Sequence, residues 1–142
     1  MIPLKDENPT RNKSYVRLII LIICAAVFIL QLASDNREFF TYYFGFKPAS
    51  LIGNNDYPTF FAPFTLITSI FMHGGWMHFI GNMLYLWIFA DNVEDIMGKK
   101  KFIFFYVFSG IVACFSQAIV NFDSNIPMIG ASGSIAGVLG AY

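Results

Sequence analysis

The residues of this sequence that could do chemistry are one glycine-flanked serine, Ser132, and a polar set embedded in apolar surroundings, His73, His78 and Asn82. Ser132 stands in Gly130-Ala131-Ser132-Gly133, where a polar loop gives way to an apolar helical run. Small neighbours on both sides let a substrate backbone approach its hydroxyl. At a helix start, backbone N–H groups without intrahelical partners can face a developing oxyanion. The G-x-S-x-G pattern of soluble hydrolases is almost matched, but their nucleophile follows a strand, and no strand pattern precedes Ser132. The plainer reading of the same glycines is close helix packing, for which Gly133 and Gly137 form a G-x-x-x-G pair.

His78 and Asn82 are four apart, so on a helix they share a face, one turn from each other. His73 and His78 are five apart, which a helix separates by about 140°. They do not make the i, i+4 zinc pair of an H-E-x-x-H helix, and no acidic residue stands close enough to complete a site. Packing with hydrogen bonds to neighbouring helices is the ordinary role of a membrane histidine. Ionisable groups at membrane depth are nevertheless rare and costly, and mark function by default.

Composition explains why membrane depth is the right frame. The 142 residues are 56% hydrophobic and 18% aromatic, with only 13% charged. Soluble domains carry about 25% charged residues. Nine basic and nine acidic residues balance, which speaks against nucleic-acid binding or steering by net charge. Cys24 and Cys114 each sit inside an apolar run without C-x-x-C spacing, so neither a zinc site nor a disulfide framework is indicated. They read as lipid-facing or packing residues, and nothing calls for a cofactor.

The elements that must position the polar set follow from the apolar runs. Residues 1–16 read as a solvated basic tail with Lys5, Arg11 and Lys13, and a first membrane helix follows over about 17–34, with Gln31 its only strongly polar residue. That length approaches the ~20 residues needed to span hydrocarbon. It exceeds the ~7–15 residue core of a signal peptide, and Gln31-Leu32-Ala33-Ser34 is a poor cleavage site. Residues 35–63 mix the aromatics Phe39, Phe40, Tyr42, Tyr43, Phe44 and Phe46 with turn signals at Lys47-Pro48, Gly53-Asn54-Asn55-Asp56 and Pro58. An interfacial loop lying at headgroup depth has this composition.

Gly74-Gly75 marks the boundary before a second helix over about 76–91. Asp91 to Lys101 reads as a polar connection, 102–120 as a third helix, and a fourth begins at Ser132. From Ser132 to Tyr142 that helix covers about 17 Å against a hydrocarbon core of ~30 Å. A helix should not stop in mid-bilayer with unpaired carbonyls. The expectation is an all-α polytopic membrane bundle truncated within its fourth transmembrane helix. Lys5, Arg11, Lys13, Arg17 and Lys99 to Lys101 place the tail and the second connection in the cytoplasm, with the aromatic loop and the Ser132 helix entrance on the opposite side.

The block His73-Gly-Gly-Trp-Met-His78-Phe-Ile-Gly-Asn82, followed some fifty residues later by Gly130-Ala-Ser132-Gly133-Ser-Ile-Ala-Gly137-Val-Leu-Gly140, resembles the rhomboid intramembrane serine proteases. The resemblance runs from about Pro63 to Tyr142. It implies that Ser132 is the nucleophile attacking a peptide carbonyl in a substrate's transmembrane segment. It further implies that Asn82 and His78, with the Ser132 backbone N–H, form the oxyanion hole, and that His73 is structural and water-retaining. Phe39 to Phe46 would belong to a loop lying partly in the bilayer beside the site.

The family's general base is a histidine on its sixth helix, and this sequence has none after His78. A serine without a base is a weak nucleophile, so the segment alone is expected to be inactive. Ala136 also stands where some relatives carry an aromatic that supports that histidine.

Two other functions compete with the protease reading. A non-catalytic rhomboid-like binder or chaperone would grip helices with the same fold, although retention of Ser132, Asn82 and His78 weighs against it. An unrelated transporter or channel subunit would also carry broken helices and intramembrane polar groups. The expected partners are transmembrane protein substrates and the lipid bilayer, with no nucleic acid. The absence of an Arg-rich, acid-poor transit segment favours a bacterial plasma membrane over an organelle.

Overall fold

The computed structural model describes residues 8–53 and 60–142. The tail residue Lys5 and the turn residues Asn54, Asn55, Asp56 and Pro58 lie outside them. Among the described residues there are six α-helices and no strand, with one isolated antiparallel bridge between Phe46 and Met128.

Two helices, α1 (Tyr15–Ala33) and α5 (Lys99–Val120), are long and apolar enough to cross a membrane. Each buries a single stripe. In α1 the stripe is Val16, Ile20, Cys24, Phe28 and Gln31. On its outer face Ile22, Ile29 and Leu30 remain 68%, 63% and 60% exposed, a surface suited to acyl chains rather than water. The α5 stripe is Phe102, Tyr106, Gly110, Cys114 and Ala118. Its four-residue spacing keeps one face inward, and its bulk falls from aromatic to small along the helix. One end of the bundle is therefore filled, while the other has room for a cavity.

Between these two runs α4 (Trp76–Met97), which packs against α1, α5 and α6 (Ser132–Ala141). The polar residues Gln31, Ser69, His73, Asn82, Glu94 and Ser134 are buried, while large apolar side chains face outward. Burying polar groups under an apolar surface inverts the soluble pattern and suits an integral membrane protein, in which a polar group must find its partners within the chain. Cys24 and Cys114 are free and buried, so both are packing residues.

The structure corrects the sequence reading at three connections. First, the described residues of 35–63 are not all loop. They hold α2 (Arg37–Phe44), whose start is capped by the Asn36 side chain accepting from the Phe39 N–H at 2.8 Å, and a 3₁₀ turn over Pro48–Ile52 that closes at Gly53. Phe39 stacks on Tyr43 and Phe40 packs at a tilt against Phe44, each one turn apart, so the helix presents paired aromatic rows. A further short helix, α3 (Ala62–Thr68), leads into a 3₁₀ turn over Ser69–Phe71.

Second, α4 runs on to Met97, and α5 starts immediately after Gly98, whose φ is +77°. Asp91, Glu94, Asp95 and Lys99 to Lys101 are therefore helical rather than a polar connection. Third, the tail is not free from Asn8 to Tyr15, because those carboxylates hold it. Asp95 accepts from the Arg11 N–H at 2.6 Å and from Asn12 backbone and side-chain N–H groups at 3.1 and 2.7 Å.

Glu94, only 3% exposed, accepts from the Val16 N–H at 3.0 Å and the Arg17 N–H at 2.8 Å. These N–H groups belong to the first turn of α1, which has no side-chain cap from Ser14. A carboxylate from α4 thus caps α1, satisfying unpaired donors and the positive end of its dipole. Arg17 completes the joint with an ion pair to Asp91 at 3.0 Å and a position 4.4 Å over the Trp87 ring. Glu94→Ala should lower unfolding stability of the reconstituted protein by about 1–3 kcal/mol, through two lost charge-assisted bonds. Glu94→Gln, which keeps an acceptor, should fall between the two, as measured by reversible denaturant unfolding.

Candidate functional site

At the end of the bundle opposite the Glu94 cap, three chain segments meet: the start of α4, the turn before it, and the stretch leading into α6. The stretch is held from two sides. Phe46 and Met128 exchange backbone hydrogen bonds at 3.1 and 2.7 Å, which ties it to the segment after α2. The Gly130 N–H donates to the Ser69 carbonyl at 2.9 Å, which ties it to the turn after α3. Ser132 then opens α6 behind Ala131, with no side-chain cap, so the first N–H groups of the helix face outward without a side-chain acceptor.

Gly130 is where the two halves of the site touch. Its φ is +130°, a conformation that L side chains rarely adopt. A Cβ there would lie 2.7 Å from both Cε1 and Nε2 of His78, and 3.6 Å from Ser132 Oγ. The imidazole edge of His78 and the hydroxyl of Ser132 therefore flank the same point, on opposite sides of a residue without a side chain.

The tautomer of His78 follows from its other nitrogen. Nδ1 accepts a long hydrogen bond from the Gly74 N–H at 3.4 Å. In the neutral ring Nε2 then carries the proton and is a donor. His78 is arranged to donate toward Gly130 and Ser132, not to accept a proton there.

Asn82 lies one turn deeper on α4 and is buried, 9% exposed, with no partner for its Nδ2 among the described residues. An unpaired buried donor costs about 1–3 kcal/mol. Such a cost is tolerated where the donor is reserved for a bound group.

His73 is not on the helix. It precedes Gly75, the residue flanking the start of α4, so the 140° separation of a continuous helix does not apply. Its ring comes within 5.3 Å of the His78 ring, centroid to centroid, edge to face. It is 2% exposed, and neither ring nitrogen has a partner among the described residues. Its backbone N–H donates to Gln31 Oε1 at 3.0 Å. The sequence marked Gln31 only as a lone polar residue in an apolar run. That signal could have flagged it, but the partner could not be read from it.

A cavity of about 420 Å³ lies beside Ser132, lined by Ser69, Gly110, Ala113, Cys114, Gln117 and the 127–130 stretch among others. It occupies the small-residue end of the α5 stripe. Gly133 and Gly137 sit directly on Ala113 and Ser109, so α6 approaches α5 as closely as backbones allow. Ala136 faces outward beyond Ser132.

An exposed serine at a helix start beside a cavity, on a helical bundle with an apolar exterior, fits an integral membrane protein. A family profile for the Rhomboid domain matches residues 61–142, more than half of the sequence, and the chain belongs to the rhomboid family. It is 33% identical over 139 residues, 96% of its length, to the rhomboid protease GluP of Bacillus subtilis. It is 34% identical over 77 residues, 54% of its length, to YdcA of the same organism. It is 31% identical over 78 residues, again 54% of its length, to the mitochondrial presenilin-associated rhomboid-like protein A of Danio rerio. The chain spans 25%, 38% and 20% of those three relatives respectively.

Gly130→Ala should be strongly damaging, because it combines a disfavoured φ with a collision at the His78 ring; a loss of about 2 kcal/mol or more is expected. Gly140→Ala meets nothing within 4 Å and should be neutral or slightly stabilising, since alanine favours helix by about 1 kcal/mol. Paired unfolding measurements on the two variants check this.

Proposed function

We propose that this chain is part of an intramembrane serine endopeptidase that cleaves transmembrane segments of membrane proteins. Ser132 is the nucleophile. Its own backbone N–H, the His78 Nε2–H and the Asn82 amide receive the oxyanion as the scissile carbonyl becomes tetrahedral. The observation that carries this reading is the meeting of His78 Nε2 and Ser132 Oγ around Gly130, beside a cavity large enough for a substrate side chain. Preorganised donors in a low-dielectric site are among the largest contributors to acyl-transfer catalysis.

Neither histidine of this sequence serves as the general base. His78 has its acceptor nitrogen occupied by Gly74, and His73 lies behind His78, against Phe28 and Phe79. The base is a histidine on a helix beyond Tyr142 in the longer protein, and the proton of Ser132 passes to it as the hydroxyl attacks. Arg11, Lys13 and Lys99 to Lys101 lie at the opposite end of the bundle from Ser132, which supports a cytoplasmic N-terminus and a site opening toward the other face. A multi-pass protein of a bacterial plasma membrane fits this arrangement.

In the longer protein, Ser132→Ala should abolish labelling by a fluorophosphonate probe and cleavage of a transmembrane substrate. His78→Ala and Asn82→Ala should each slow cleavage by on the order of 10²–10³-fold with the fold intact. Labelling that survives Ser132→Ala would exclude the assignment. Binding of transmembrane helices by a folded protein that neither labels nor cleaves would instead identify a non-catalytic helix-binding member of the family.

A further inference from the structure

We propose that Gln31 is a positioning residue for the oxyanion donor: through the His73–Gly74 peptide it fixes which nitrogen of His78 faces Ser132. This rests on the reading of His78 as a donor to the oxyanion.

Gln31 is 5% exposed, in the last turn and a half of α1, among side chains that are otherwise apolar. A buried carboxamide is unfavourable unless its hydrogen bonds are made. Its Oε1 accepts from the His73 N–H at 3.0 Å. The very next backbone N–H, that of Gly74, donates to His78 Nδ1. Two successive amides are thus aimed in turn at a carboxamide from α1 and at the imidazole. With Nδ1 accepting, the mobile proton of the neutral ring is confined to Nε2, the nitrogen that faces Gly130 and Ser132.

The His73 ring anchors this segment only through its contact with the Phe71 backbone, since neither nitrogen makes a well-formed hydrogen bond among the described residues. Gly74 and Gly75 give the segment little stiffness of its own. Phe28, on the same face of α1 as Gln31, packs on Phe79 with ring centroids 4.6 Å apart and on Trp76 at 5.0 Å. Phe28 sets the distance of α1 from the start of α4 by packing, and Gln31 sets the orientation of the turn by its hydrogen bond. Without that bond the Met72–His73 peptide is released and the adjoining His73–Gly74 peptide can rotate with it, Nδ1 loses its donor, and the ring exchanges between tautomers. In the Nδ1–H form a lone pair on Nε2 faces the oxyanion and repels it.

The test uses the longer protein reconstituted in liposomes, comparing Gln31→Leu, which removes the acceptor, with Gln31→Glu, which keeps an acceptor oxygen in place. Imidazole ¹⁵N shifts of His78 report the tautomer, and kinetics on a transmembrane substrate report kcat and KM. Gln31→Leu should shift His78 from a single Nε2–H form to a mixture and lower kcat by about tenfold, with KM changed by less than about twofold. Gln31→Glu should retain the tautomer and most of kcat.

An unchanged His78 tautomer in Gln31→Leu would overturn the proposal, as would equal losses in the two variants. If Gln31→Leu does not assemble, Gln31→Asn, which withdraws the oxygen by one methylene, makes the same comparison. The nitrogen shifts are read equally well in a Ser132→Ala background. Absence of protease activity in the unsubstituted protein would thus defeat the enzymatic reading while the positioning role is still decided.

Discussion

Inside hydrocarbon no water competes for or rescues a hydrogen bond, and this constraint organises the whole molecule. A polar group brought to membrane depth is costly unless another part of the chain answers it, so each bond that is made records a specific pairing, and the unpaired Asn82 amide stands out as a donor held in reserve. Here α1 is answered at both ends by the α4 side of the bundle. At one end the Glu94 carboxylate takes the N–H groups of Val16 and Arg17. At the other, the Gln31 carboxamide takes the N–H of His73, just ahead of α4. Between these two joints the α1 contact is apolar, through Ile20, Cys24 and Phe28. Apolar packing between lipid-bathed helices tolerates sliding, because lipid tails are as apolar as the side chains they replace. Polar joints at both ends fix the register that packing alone leaves loose.

The same logic places the cavity. Small residues on α5 and glycines on α6 draw these helices together, and the tapering α5 stripe leaves space toward its C-terminal end. The chain entering α6 is clamped by the bridge to Phe46 and by the Ser69 carbonyl. The aromatic segment of residues 35–63 is therefore more than a membrane-surface decoration. Phe46, midway along it, pairs with the stretch that leads into Ser132, so its backbone helps to set the approach to the helix start.

Much of this was legible in the sequence. The apolar runs located α1, α5 and the core of α4, because a span needs an unbroken apolar length whatever its partners are. The spacing of His78 and Asn82 put them on one face, and the small residues around Ser132 marked a helix start open to approach. The errors fell where helical residues were read as a connection. Asp91, Glu94 and Asp95 lie on α4, and although residues 8–13 are exposed, as a solvated tail should be, Asp95 ties them to that helix. Each group was taken alone, and only together do they satisfy one another. The short helices α2 and α3 were missed because an aromatic-rich stretch has no clear helical period, and its order depends on ring stacking and on Met128, far along the chain.

The sequence by itself determined the solvent, the approximate places of the main helices, and the inventory of groups capable of chemistry, because these follow from composition and local periodicity. Which nitrogen of His78 faces Ser132, why Gly130 can be nothing else, and which helix anchors the turn at His73 were decided only by the tertiary structure. Those properties belong to contacts between residues tens of positions apart, and a linear pattern carries no record of the distance between them.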